Sequence, residues 1–281
     1  MTYERPGRPP RDDRAVRYAG SRLLFRGPRR DLTGGYVACM GGTETCGGVL
    51  ARPWPALSEH GLGLPCVNLG LPNAGPDVLA TDPELLRLAQ AARVVVLQLP
   101  GAVNLSNRFY RVHPRRNDRF VEAAPALRAL YPEVDFTEFH FTRHLVQRLA
   151  AISPSRFARI RAAAREAWLA RLSGLVQGLA PPVVLLWLAE HAPGGGADGA
   201  AIGAEPALVT RAMLDALAPH AAAIVQVVVS EVARAGGAGG MRMAPGQQDA
   251  ATGAPAHREA ADALHPVLTR LLQDGAPPGT Q

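Results

Sequence analysis

Five short, almost uninterrupted apolar runs constrain this chain more than any other feature: residues 36–40, 65–69, 93–99, 182–188 and 224–229. A strand with one wet face alternates apolar and polar residues, whereas a run that is apolar nearly throughout suits a strand covered on both faces, as in a parallel sheet. Between the runs lie stretches with helical period, at residues 52–62, 83–92, 207–221 and 257–272. Asp82 stands where it would cap a helix that begins at Pro83. Strand alternating with helix specifies the α/β class. Right-handed crossovers then predict a three-layer, doubly wound parallel sheet of five strands in the order 2-1-3-4-5.

The third and fourth runs are separated by about 80 residues, far more than one crossover helix needs. A helical insertion over roughly residues 105–180 is expected there. Its second half has helical spacing in Phe141, Leu145 and Leu149, then in Ile160, Ala164, Trp168 and Leu172, with Pro154 dividing two helices. The expected organisation is a basic N-terminal arm at 1–31, one domain at 32–272 that contains the insertion, and a frayed tail at 273–281.

A chain of 281 residues can bury a core without disulfides or a structural metal. Cys39, Cys46 and Cys66 are odd in number and form no close pair, which points to neither a disulfide framework nor a zinc site. His140 and His144 are four residues apart but have no third ligand near them, so no metal and no cofactor is expected. All 30 basic residues are Arg, and residues 1–31 hold nine of them against four acids, +5 of the net +6. The remainder is close to neutral, which makes nucleic acid a poor candidate partner. No apolar stretch approaches the ~20 residues that cross a bilayer, and the Arg-rich N-terminus lacks the apolar centre of a secretory signal. A cytoplasmic location is the expectation.

In a doubly wound sheet, ligands collect at the carboxyl ends of the strands, which selects residues 41–48, 70–77, 100–119 and the loop that ends near His257. Thr43, in Gly41-Gly-Thr-Glu-Thr-Cys-Gly47, reads either as a helix N-cap or as a hydroxyl set among free N–H groups. No Gly-Lys-Ser/Thr follows, so this is not a phosphate loop.

That run, together with Leu62-Gly-Leu-Pro-Cys-Val-Asn-Leu-Gly-Leu-Pro-Asn-Ala-Gly-Pro-Asp77 and Val94-Val-Val-Leu-Gln98, resembles the opening half of SGNH or GDSL-type hydrolases over residues 36 to about 107. The whole chain also resembles an uncharacterised group of bacterial proteins, a domain of unknown function. The resemblance implies that Thr43 falls on the nucleophilic Ser and Gly42 on the Asp beside it. It further implies that the backbone N–H groups of Thr43 and Asn73 and the side chain of Asn104, with Asn107 as alternative, hold an oxyanion. Asn73 stands where the family has Gly, and Gly101-Ala-Val-Asn104 is one residue longer than the usual block. The family's base precedes or opens the last helix. His257 fits that place without an Asp three residues earlier, and His265, in Asp262-Ala-Leu-His265, is the alternative base.

Residues 107–119 hold five Arg and one Asp among Phe109, Tyr110 and His113, a pattern suited to anions and rings. Arg108, Arg111, Arg115 and Arg116 are the candidate substrate clamps. The expected activity is hydrolysis or transfer of the acyl group of a small anionic or sugar ester by a Thr nucleophile. The alternatives are a degenerate SGNH-like protein that binds an anionic ligand, and a sulfuryl or phosphoryl transferase.

Overall fold

The computed structural model describes residues 15–18, 20–48, 50–194, 202–237 and 253–274. Two short strands, β1 (Ala15–Val16) and β2 (Phe25–Arg26), pair antiparallel ahead of the first sheet strand. The central sheet is built from β3 (Val37–Gly41), β4 (Cys66–Gly70), β5 (Val94–Gln98), β8 (Val183–Ala189) and β9 (Ala223–Val228). Its spatial order is β4-β3-β5-β8-β9, and every pairing is parallel, with Cys39 opposite both Asn68 and Val96. Counted among these five strands alone, the order is 2-1-3-4-5.

In β3, β5 and β8 the apolar runs exist because both faces of the sheet are covered, whereas the edge strand β9 leaves Gln226 and Val228 exposed. Ala38, Met40, Val95, Leu97, Leu185 and Trp187 belong to one buried cluster, whereas their chain neighbours Val37, Cys39, Val94, Val96, Val184 and Leu186 belong to another. The first cluster takes in α3 (Pro76–Thr81), α4 (Pro83–Gln90) and the insertion; the second takes in Trp54 at the start of α2 (Trp54–Leu62) and the apolar stripe of the last helix (Ala254–Asp274). Asp82 caps α4 by accepting from Leu85 N at 3.0 Å. Cys39 and Cys66 are buried small apolar groups, and burial pushes the Cys39 thiol well above its ordinary pKa.

The insertion is not wholly helical. It opens with an antiparallel hairpin, β6 (Tyr110–His113) and β7 (Arg116–Ala123), ahead of α5 (Pro125–Leu130), α6 (Thr142–Ile152) and α7 (Pro154–Gly178). The hairpin follows from a period of two that its many Arg residues obscure: Tyr110 and Val112 are buried while Arg111 is exposed. Pro154 starts α7, capped by Ser153, and so divides the two long helices. Beyond β8, α8 (Arg211–Leu217) begins only after Thr210, whose side chain caps it, rather than at 207.

The boundary expected at residue 31 falls inside packed structure. Tyr18, Leu23 and Phe25 are buried in the first cluster, and Arg30 pairs with Glu59 at 2.7 Å. Arg26 bonds the carbonyls of Cys46 at 3.2 Å and Gly48 at 3.0 Å. Apolar and hydrogen-bonding side chains outweigh the charge of this segment. Residues 1–14 of the expected arm and 275–281 of the expected tail lie outside the described residues. Among the described residues no helix is long and apolar enough to cross a membrane.

Candidate functional site

A cavity of about 820 Å³ opens at the carboxyl ends of β3, β5 and β8. At its base the chain leaves β3 and enters α1 (Thr43–Cys46) through Gly42. Two polar residues in otherwise apolar strands hold this turn. Gln98 Oε1, at the end of β5, accepts from Gly42 N (3.1 Å), Thr45 N (3.2 Å) and Thr45 Oγ1 (2.7 Å). From β4, Asn68 donates to Thr45 O at 2.8 Å and accepts from Gly70 N at 3.0 Å. Both residues lie in the motif blocks read from the sequence, but neither was given a role there, although a lone amide in an apolar run was the available signal.

Thr43 is the first helical residue rather than the cap, so its hydroxyl is left to meet the loop after β4. Thr43 Oγ1 accepts from Asn73 N at 3.0 Å and lies 3.4 Å from Asn73 Oδ1. Asn73 has φ +56°, the left-handed conformation that glycine adopts freely and Asn tolerates best among other residues, which makes an Asn in a Gly position physically reasonable. Asn104 lines the same cavity, and its Oδ1 is bonded by the Thr142 hydroxyl. Asn107 instead shapes its own turn, accepting from Phe109 N at 2.9 Å.

Asn117 fixes this arrangement from below. It is fully buried; its Oδ1 accepts from Gly75 N and Val78 N, both at 3.0 Å, and its Nδ2 donates to His113 O at 3.0 Å. One side chain thus caps α3, which has no local side-chain cap, and ties it to the hairpin. Asn117→Ala strands two buried N–H groups and a carbonyl. It is expected to cost about 2–3 kcal/mol in urea denaturation; a loss under about 0.5 kcal/mol would show that water replaces the amide.

The structure brings Thr43, Asn73 and Asn104 onto one cavity but places neither candidate base on Thr43. His257 is fully buried, its Nδ1 accepting from Trp54 N at 3.0 Å and its Nε2 3.7 Å from Glu44 Oε2. His265 packs beside Gly61 of α2, where an added Cβ would sit 3.2 Å from its Nδ1. Neither imidazole is among the lining residues.

The four candidate clamps also lie elsewhere. Arg111 pairs across the hairpin with Glu122 at 3.1 Å, the guanidinium of Arg108 stands 5.2 Å from the Phe109 ring centre, and the exposed Arg115 and Arg116 flank the turn, their N–H groups bonding His113 Nδ1. A hairpin projects alternate side chains to solvent, so a basic run close to the sheet in sequence need not face the cleft. Arg143 and Arg234 line the cavity instead, with Glu44, Asp118, Glu190, Glu205 and Phe141. His140 precedes α6 while His144 lies within it, so the two do not stand on successive turns of one helix. Among the described residues no three His, Cys, Asp or Glu side chains gather to hold a metal ion.

Over residues 1–272 the chain matches a family described as a domain of unknown function, DUF6473. Among solved structures it is similar to a catalytic mutant of Axe2, an acetylxylan esterase from Geobacillus stearothermophilus. That likeness is 13% identical, covers 85% of this chain and 94% of the other, and has a TM-score of 0.40, too low to bear on fold or chemistry. No curated protein matches.

Proposed function

We propose that this chain, which belongs to the DUF6473 family of unknown function, is an SGNH-like protein that hydrolyses or transfers the acyl group of a small ester. The observation that carries this reading is the 3.0 Å approach of the Asn73 backbone N to Thr43 Oγ1, on a cavity that Asn104 also lines. In this reading Thr43 Oγ adds to the ester carbonyl. The carbonyl oxygen, as it gains charge, takes hydrogen bonds from the N–H groups of Thr43 and Asn73 and from the Asn104 amide. The Thr methyl group narrows the rotamers from which attack is possible, which favours a slow enzyme or one that accepts a single acyl geometry.

Between sugar and anionic esters, the cavity favours the sugar. Four carboxylates, Glu44, Asp118, Glu190 and Glu205, line it against two guanidinium groups, and one of these, Arg143, pairs with Glu205 at 3.1 Å. Carboxylates accept from sugar hydroxyls and repel anions. Phe141 is 43% exposed at the cavity and has the Arg119 guanidinium 4.1 Å from its ring centre, a ring against which a sugar face can rest. Acetate release from acetylated methyl glucoside and from acetylated methyl glucuronoside tests both parts of the proposal. The uncharged ester is expected to react at least about tenfold faster, from one added like charge. Equal rates would remove the sugar preference, and release from neither would remove the ester reading.

A second reading, binding without turnover, is favoured by the lack of an imidazole on the Thr43 hydroxyl, whose hydrogen bonds are with Asn73. It predicts that the uncharged sugar raises the melting temperature with no acetate released. The sulfuryl or phosphoryl transferase reading loses its support, because its Arg clamps lie on or beside the hairpin and do not line the cavity.

A further inference from the structure

We propose that His257 is a fixed hydrogen-bond donor that positions Glu44, and that Glu44, not His257, takes the proton at this site; the proposal rests on the ester reading above. A backbone N–H only donates, so the 3.0 Å bond from Trp54 N requires a lone pair on His257 Nδ1. A neutral imidazole carries one N–H, which must then be on Nε2. The ring is fully buried and Nε2 makes no hydrogen bond; Glu44 Oε2, 3.7 Å away, is too far for one but too close to admit water between them. A buried N–H without an acceptor is unfavourable, and the Glu44 carboxylate is the acceptor that faces it across this 3.7 Å gap.

The same geometry excludes His257 as the base. Nε2 already holds a proton, and a proton on Nδ1 would point at the Trp54 N–H. Glu44 lines the cavity and directly follows Thr43. As Thr43 Oγ bonds to the acyl carbon, its proton passes to the Glu44 carboxylate, directly or through one water. The ester C–O bond then breaks and the departing alkoxide takes that proton from Glu44. Water repeats the two transfers to release the acid and restore Thr43.

Gln has the atoms to replace a fixed Nε2–H ring, with Oε1 to accept from Trp54 N and Nε2 to donate to Glu44, but it cannot act as a base. His257→Gln is therefore expected to keep acetate release within about threefold of wild type, while His257→Ala loses roughly tenfold through misplacement of the carboxylate and Glu44→Gln about a hundredfold or more. A His257→Gln protein that folds, by its melting temperature, yet loses a hundredfold would overturn the proposal. The tautomer is read without activity, from long-range ¹H–¹⁵N correlations of the histidine rings, with the His257 signal identified by its loss in His257→Gln. A proton on Nε2 and a lone pair on Nδ1 are expected; the reverse overturns the proposal even if no ester is cleaved. Wild-type protein that shows the expected tautomer but releases no acetate sinks the ester reading and the proton transfer with it, leaving His257 as a structural donor.

Discussion

Thr43→Ala is expected to lower kcat/KM for acetate release by at least about a thousandfold, because loss of a nucleophile removes the acyl-enzyme route altogether. The fold should hardly notice. Thr43 is half-buried, and its hydroxyl bonds are confined to the Asn73 loop, so the substitution removes about one exposed hydrogen bond, worth roughly 1 kcal/mol. The melting temperature should fall by no more than about 4 °C. This separation of rate from stability distinguishes the two readings of the site. If the cavity only binds, wild type releases nothing, and Thr43→Ala changes sugar affinity by a small factor. Thr43→Ser adds a sign: it keeps the nucleophile and removes the methyl that restricts χ1, so turnover should rise. A Thr43→Ala protein with wild-type acetate release would eliminate Thr43 as nucleophile, and a Thr43→Ser protein slower than wild type would mean that the methyl group holds the hydroxyl in its productive rotamer.

The sheet was legible because its physical cause is strong and local. Val94, Val95, Val96 and Leu97 each lose water on one face or the other, and no alternating pattern can stand in for that. The hairpin was hidden because its period of two, in Tyr110 and Val112 against Arg111, is short and interrupted by the turn at Pro114, while charge dominated the composition. For the same reason the Arg run suggested a substrate clamp: sequence gives nearness to a strand end but not the direction of a side chain, which the β6–β7 pairing sets. Tyr18 and Phe25 were missed for a parallel reason, since apolar residues spaced among nine Arg do not produce a periodic signal, yet they bury in the core. At the site, Thr43, Asn73 and Asn104 came from motif blocks that lead into the same strand ends. His257 came from its place at the start of the last helix, which fixes proximity but not which ring nitrogen faces what. Its tautomer depends on a partner 203 residues away, the Trp54 N–H. Asn117 lay in no motif and Gln98 closed a motif block without an assigned role, because both satisfy backbone groups of segments distant in sequence.

Gly75→Ala should damage both stability and the site, through one contact. Gly75 precedes α3 with φ −110° and ψ −176°, an extended conformation open to any residue, so no backbone strain forbids alanine there. The obstacle is steric. An added Cβ would lie 1.6 Å from the Asn104 carbonyl oxygen and 2.7 Å from its carbonyl carbon. No side-chain rotamer relieves a clash with backbone, so the loop after β4 and the loop after β5 must move apart by about 1.5 Å or more to reach van der Waals distance. That shift strains the bonds by which Asn117 holds Gly75 N and Val78 N. A stability loss of about 3 kcal/mol or more is expected in urea denaturation. The same shift separates Asn104 from Thr43 and Asn73, and a displacement near 1 Å among groups that must converge costs on the order of a hundredfold in rate. Gly174→Ala is the internal comparison: it lies inside α7 with open space around its Cβ, so the loss of chain entropy in the unfolded state should raise stability by about 0.5–1 kcal/mol and leave acetate release alone. Gly75→Ala protein that stays as stable as wild type would show that the two loops yield easily, and the Thr43, Asn73 and Asn104 donors would then lack the rigid backing that oxyanion stabilisation requires.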